Sequence, residues 1–404
     1  MTILVVLPYV PWPLNRGTYQ RLFHLTRELA RRHTVDLFCL DEEGGGAAHA
    51  GVFTAFCRRF HVQPFAHPPW ARLFPHRLFN PLPATIRHWE DAAARAALLT
   101  FAQGQAYDVV QFCDLVLWPY LRDLPTRAPR VMDRSRVDLL FQQEELARLR
   151  LSLKERLLRR ENLWKLRRFE RAAARALQAT IVCGPDDATF LRAQVQADAP
   201  IQVLANGCDA DFFSAVANPP QPAAAPTLLF CGAMDYSPNV DGIQWYFDAV
   251  DPLVRARLPA RRIFIVGRDP TPAVRALAAQ PGVEVTGGVP DVRPYYQAAW
   301  GQIVPLRIGG GTRLKIVESL CIGCPVISTT IGAQGLDLAH DQHLLLADEP
   351  PVLAEAVLRL LGDQALRERL GAAGRERVLA RYTWPALGAQ LSSFLESLAP
   401  HPAR

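Results

Sequence analysis

What most constrains this chain is an alternation of short apolar runs with helix-length amphipathic segments, played out twice along 404 residues. In the first half, Ile3 to Leu7, Val35 to Cys39, Val109 to Phe112, Arg130 to Met132 and Thr180 to Cys183 read as strands. Thr18 to Arg32 reads as a helix with Leu22, Leu25 and Leu29 on one face. Strand, helix, strand in that order demands right-handed crossovers and a mainly parallel sheet. The pattern stops at the proline-rich break from Ala217 to Pro226, which can continue neither a helix nor a central strand. It restarts with strands at Thr227 to Cys231, Arg262 to Val266, Val283 to Thr286, Gly301 to Leu306, Pro325 to Thr330 and His343 to Leu346. Two doubly wound α/β units follow, and their chemistry is expected in the cleft between them, outside the carboxyl ends of the strands.

Length and composition agree, since 404 residues exceed one ordinary core and 50% hydrophobic with 21% charged residues is a globular balance. No run of about 18 uninterrupted apolar residues occurs, so nothing is expected to span a bilayer. No basic segment precedes the first apolar run, and eight scattered cysteines suggest no disulfide framework, so a reducing, cytoplasmic setting is expected. Cys321 and Cys324 form a CxxC, but without a second pair at ligand spacing it reads as a helix end at Gly323 running into a strand, and no metal is expected.

The stretch that carries chemistry runs from Gln302 to Thr330. A strand leads into Gly309-Gly310-Gly311-Thr312-Arg313-Leu314-Lys315, and a helix follows. Consecutive glycines let backbone approach a ligand closely. Thr312 is placed to cap the helix, leaving free N–H groups and the positive helix end facing the loop, a geometry that binds anions. Arg313 and Lys315 add full charges, and a nucleotide diphosphate needs all of this together. Glu318 lies one turn deeper on the face of Lys315; its carboxylate suits two ribose hydroxyls, or equally a plain surface ion pair with Lys315. The stretch is not a Walker A loop, which would end in Gly-Lys-Ser/Thr, nor a dinucleotide fingerprint.

These residues also carry a resemblance. The run from Val304 to Thr330, with Gly332-Ala-Gln-Gly-Leu behind it, resembles the donor-binding segment of retaining glycosyltransferases of the GT-B fold, in the large family numbered four, and looks most like the branch associated with bacterial exopolysaccharide clusters. Asn206-Gly207-Cys208-Asp209, Phe230-Cys-Gly232-Ala233, Tyr382-Thr-Trp, and Pro8 to Pro13 with Gly17 are similar to further family segments. The resemblance implies two Rossmann-like domains facing a central cleft: an acceptor-side domain over 1–206, a donor-side domain over 207–383, and a tail from 384 to 404 returning to the first. It implies transfer of a sugar, a hexose in kind, from a nucleotide-diphosphate sugar to a glycan or lipid-linked acceptor, with retention, as in exopolysaccharide synthesis. No cofactor or metal is needed. Arg313 and Lys315 carry the charge on the departing diphosphate. Gly17, Gly232, Asn239, Gly310, Gly311, Thr312, Leu314 and Glu318 complete the donor site.

Three departures from the family pattern stand out. Gly310 occupies the place of an earlier glutamate; Ala233 and Asn239 stand where an Arg and a Lys are common; and the histidine usual after a strand like Asp108-Val-Val is missing, with Gln111 and Asp114 in that region. A catalytically silent nucleotide-sugar binding or assembly protein, or a sugar-nucleotide epimerase on the same plan, therefore remains an alternative.

Finally, Arg148 to Arg175 holds eleven Arg/Lys and three Glu, so the chain's +6 is local to it. Leu149, Leu153, Leu157 and Trp164 recur between the basic residues, which suits either contact with anionic lipid headgroups or a helix packed on the first domain with a solvated basic face. Nucleic acid is not expected, because no recognition motif accompanies the charge. The aromatic cluster Trp70, Phe74, Phe79 and Trp89 fits an acceptor-facing surface or core packing. Asp133 and Ser135 follow a strand and could face the cleft, though the cap of the next helix suits them better.

Overall fold

A computed structural model describes residues 1–67, 80–148, 152–195, 198–214, 224–309 and 311–399. Trp70, Phe74, Phe79, Leu149 and Gly310 lie outside them. The chain forms two compact units: Met1–Ala205 together with the chain from Leu387 on, and Asn206–Ala386.

The sheet of the first unit has seven strands, β1 (Thr2–Leu7), β2 (Thr34–Asp41), β3 (Arg59–Pro64), β4 (Val109–Cys113), β5 (Arg130–Arg134), β6 (Ala179–Val182) and β7 (Ile201–Val203), in the order β3-β2-β1-β4-β5-β6-β7. Every pairing is parallel; Ile3, for example, lies between Val35 and Val109. The central strands are buried on both faces, which is why they read as unbroken apolar runs. The edge strands escaped the sequence reading. β3 alternates Phe60 and Val62 with polar residues and is only half buried, and β7 is three residues long.

Asp133 has a different task from the expected cap. The guanidinium of Arg21, from the helix Gly17–Ala30, donates to it at 2.8 Å and to the carbonyls of Leu204 and Ala205 at 2.9 and 3.1 Å, with both side chains buried. Three elements are thereby tied together at the carboxyl edge of the sheet. The chain returns at its end to the same unit, where Gly388 lies so close to the Gly17–Ala30 helix that a Cβ there would come within 2.3 Å of Glu28.

Of the basic stretch, Leu153–Ala176 is one helix, opened by a capping box between Ser152 and Glu155. Its inner face buries Leu166 and Ala173 and sets Glu170 against the buried Arg134 at 2.8 Å. Its outer face leaves Leu153, Leu157 and Trp164 in solvent, 75%, 57% and 59% exposed.

The second unit repeats the winding with β8 (Thr227–Cys231), β9 (Arg262–Val266), β10 (Val283–Gly287), β11 (Gly301–Val304), β12 (Val326–Ser328) and β13 (Leu345–Leu346), ordered β10-β9-β8-β11-β12-β13 and parallel throughout. In both sheets the chain winds outward, then returns to lay its fourth strand beside its first. Each sheet thus has a switch point where two neighbouring loops part, the place such sheets bind ligands. It falls between β1 and β4 in the first unit and between β8 and β11 in the second. No helix among the described residues is long and apolar enough to cross a membrane.

Candidate functional site

The second unit's switch point is built from three pieces: Gly232 just after β8, Asn239 in the helix Ser237–Trp245, and the loop from β11 into the helix Leu314–Cys321. That last helix forms because Ile316, Val317, Leu320 and Cys321 bury one face. It stops in a Schellman closure, with the N–H of Cys324 donating to Ser319 at 2.9 Å, that of Gly323 to Leu320 at 3.0 Å, and Gly323 at φ 85. The CxxC is this helix end, as its glycine and proline imply.

Thr312 does not cap the helix. Arg313 is the N-cap residue, with no side-chain cap hydrogen bond, and Leu314 is the first helical residue. The Thr312 hydroxyl instead accepts the N–H of Asn206 at 2.7 Å, and its carbonyl accepts from the Asn206 side chain at 2.9 Å. The first helical N–H groups therefore lack a side-chain cap from Arg313. Gly309 and Gly311 take φ 120 and 73, values that exclude most side chains. A Cβ on Gly309 would also stand 2.9 Å from the Arg313 guanidinium.

Lys315 is the centre of the arrangement. Its Nζ donates to Asn239 Oδ1 at 2.7 Å and sits 4.5 Å from the centre of the Phe230 ring. Asn239 is turned to meet it because its own Nδ2 donates to the Ala233 carbonyl at 2.8 Å. Gly232 makes room for both, since a Cβ there would lie 2.8 Å from each. Burial pushes the Lys315 amine down to about 7, with Arg313 adding to the effect against Cys231 and Glu318. Glu318 accepts from the Tyr296 hydroxyl at 3.3 Å.

Gly232, Asn239, Arg313, Lys315 and, one turn deeper, Glu318 thus belong to one neighbourhood. Gly17 opens a helix of the first unit. Sequence reasoning missed Phe230 as the floor under Lys315, Tyr296 as the partner of Glu318, and Gly267, whose Cβ would stand 1.6 Å from the Gly232 carbonyl. The glycine directly after β9 was the available signal for the last.

Two parallel Rossmann-like sheets with this winding define the GT-B architecture. The chain superposes on sucrose-phosphate synthase from Thermosynechococcus elongatus with a TM-score of 0.71 at 20% identity, over 98% of this chain and 99% of that one. It superposes on Anabaena HepE in complex with UDP at 0.65 and 15% identity, over 98% and 100%. Residues 225–363, within the second unit, match the family model described as Glycosyl transferases group 1. A GDP-mannose-dependent alpha-(1-6)-phosphatidylinositol monomannoside mannosyltransferase of Mycobacterium tuberculosis is 33% identical over 159 residues, 36% of this chain and 41% of that relative's length.

Proposed function

We propose that the chain is a glycosyltransferase that moves a hexose from a nucleotide-diphosphate sugar to a glycan or lipid-linked acceptor in exopolysaccharide or related glycan synthesis, with retention at the anomeric carbon. The observation that carries this reading is Lys315: a half-buried amine held by an amide at a strand switch point, with a glycine loop and Arg313 beside it. Breaking the bond from the anomeric carbon to the diphosphate leaves negative charge on the departing oxygen. Fixed cations there stabilise the transition state more than the ground state. Lys315 and Arg313 supply them without metal or cofactor, Asn239 orients Lys315, backbone at Gly232, Gly309 and Gly311 lets the diphosphate approach, Thr312 and Leu314 join the loop to the helix, and Glu318 receives the ribose.

The boundaries 1–206 and 207–383, with the tail from 384, divide acceptor from donor. The mannosyltransferase relative and the neighbour holding UDP make GDP-mannose and UDP-glucose the first donors to try. Lys315→Ala should lower turnover about 100-fold or more with either productive donor. Turnover within a few-fold of wild type would overturn the assignment. Isomerised donor without transfer would instead make the chain an epimerase, and a nucleotide-induced melting shift without turnover a silent binder.

The exposed face of Leu153–Ala176 supports a peripheral place on an anionic membrane, on the cytoplasmic side where the eight buried thiols stay reduced. Leu153, Leu157 and Trp164 fall within about 40° of each other around the helix, at about 100° per residue. Exposed Arg156, Arg160, Arg168 and Arg175 flank them, with Arg168 stacked 4.9 Å from the Trp164 ring. Apolar side chains amid cations match acyl chains beneath anionic headgroups.

A further inference from the structure

A run of glycines does little to hold its own shape. Between β11 and the helix Leu314–Cys321 the chain carries Gly309, Gly310 and Gly311, which bring no side chains to favour one backbone path. An anion that had to order such a loop on arrival would bind weakly. Side chains on either side of the glycines tie the loop down. After them, the Thr312 hydroxyl and carbonyl both accept from Asn206. Before them, Arg307 reaches the helix Ser237–Trp245. Its Nε donates to Asp241 Oδ2 at 3.0 Å, its Nη2 donates to Asp241 Oδ1 at 2.6 Å, and its guanidinium carbon lies 5.5 Å from the centre of the Trp245 ring. Two such bonds, fork to fork, fix direction as well as distance.

The same helix also holds the cation. Asn239, two residues before Asp241, accepts from Lys315 Nζ. Gly242, the residue after Asp241, packs so closely on the loop that a Cβ there would come within 2.7 Å of the Pro305 carbonyl. One short helix thus sets the start of the glycine loop and the Lys315 amine in a common frame. As a stabiliser of the fold the pair counts for little, because the Arg307 side chain is 42% exposed and that of Asp241 21%, and ion pairs left in so much water contribute weakly. What its bidentate geometry supplies is placement.

We propose that Asp241 is a positioning residue of the donor site: through Arg307 it fixes the start of the glycine loop against Lys315, so that the loop is already shaped for a diphosphate before one binds. This rests on the transferase reading above.

Calorimetry on the full chain with GDP, UDP, ADP and CDP, beside turnover with the productive donor, tests it. Asp241→Ala should raise the Kd of the nucleoside diphosphate and the KM of its sugar about tenfold, the result of a competent loop reduced to about a tenth of the population. kcat should stay within about threefold, because what is lost is shared by ground and transition states. Tm should fall by no more than about 4 °C, the reach of an exposed ion pair in a unit of this size. Asp241→Asn keeps the shape and an acceptor oxygen, so it should lose less affinity. The deciding measurement joins the two truncations: if Asp241 acts through Arg307, Asp241→Ala combined with Arg307→Ala binds no worse than either alone. Losses that multiply would put Asp241 on the ligand itself and overturn the proposal. Unchanged affinity in Asp241→Ala, or an affinity loss that comes with a Tm far below that limit in both Asp241 variants, would overturn it too. A wild type silent to all four nucleotides would remove the transferase reading and this proposal with it; wild-type affinity that survives both truncations would remove this proposal alone.

Discussion

The two sheets are wound alike, yet they treat a cation at the carboxyl edge in opposite ways. In the first unit Arg21 meets the Asp133 carboxylate and two backbone carbonyls, so its charge is spent within the fold. In the second, Lys315 donates to an amide oxygen, and burial leaves it short of its usual charge. The same scaffold therefore makes a strut in one place and, as we propose, an anion receptor in the other. Fold alone does not assign function; the partner of each cation does.

The sharpest way to break that contrast is to remove each cation in turn. Arg21→Met strands the buried Asp133 carboxylate, which should cost about 3–5 kcal/mol and appear as a large fall in the melting temperature of the first unit. A variant that melts like wild type would show that Arg21 is not the strut. Lys315→Ala should do the reverse, leaving the melting temperature close to wild type while removing about 100-fold or more of turnover. Next in size is Gly232→Ala. The added methyl meets Asn239 and Lys315, so the melting shift with GDP and UDP should shrink as affinity drops roughly tenfold, the scale of about 1–3 kcal/mol for strain at such a position. Retained affinity would move the diphosphate away from Gly232.

How much of this was legible beforehand follows from the same contrast. Consecutive glycines ahead of two cations stand out in sequence, so Gly309 to Lys315 was legible as a candidate anion loop, and Lys315→Ala is what tests it. The central strands were legible because burial on both faces demands unbroken apolar runs, as in β1 and β8. What could not be read depends on tertiary context. The Thr312 hydroxyl looked like a cap until Asn206, more than a hundred residues away in sequence, proved to claim it. Asp114 carries no motif, because its left-handed backbone is imposed by neighbours at a residue type that does not advertise it. Edge strands β3 and β7 lack the two-sided burial that makes a strand conspicuous.

The Lys315 amine adds a pH test. Its folded value lies near 7 and its ordinary value at 10.5, so between these the free protein holds it neutral while the unfolded chain holds it protonated. Its contribution to stability is therefore present above 10.5 and lost as pH falls through about 7. A bound diphosphate restores the proton, so the complex behaves oppositely: binding takes up a proton, and affinity should fall by up to about tenfold per unit as pH rises above 7. Calorimetry in buffers of different ionisation enthalpy reads that proton directly. Lys315→Arg should flatten the profile, because a guanidinium stays charged throughout. A pH-independent affinity in wild type would place the diphosphate elsewhere.

The smallest expected effect concerns the outer face of Leu153–Ala176, and there the contrast moves to two faces of one helix. The inner face satisfies its charge with the Arg134–Glu170 pair, whereas the outer face leaves apolar groups and arginines in water together. Each exposed side chain gains only part of the about 1.5–3 kcal/mol of full burial when it reaches lipid. Replacing Leu153, Leu157 and Trp164 by alanine should therefore lower sedimentation with phosphatidylglycerol vesicles by a few-fold to about tenfold, with turnover on a water-soluble acceptor unchanged. Replacing Arg160 and Arg168 by glutamine should act differently, removing about 1 kcal/mol per charge at low ionic strength and little in high salt, where the headgroup field is screened. Phosphatidylcholine vesicles should hold neither form well. If the alanine variant sediments as wild type does, the outer face serves no membrane, and its arginines are a solvated surface like any other.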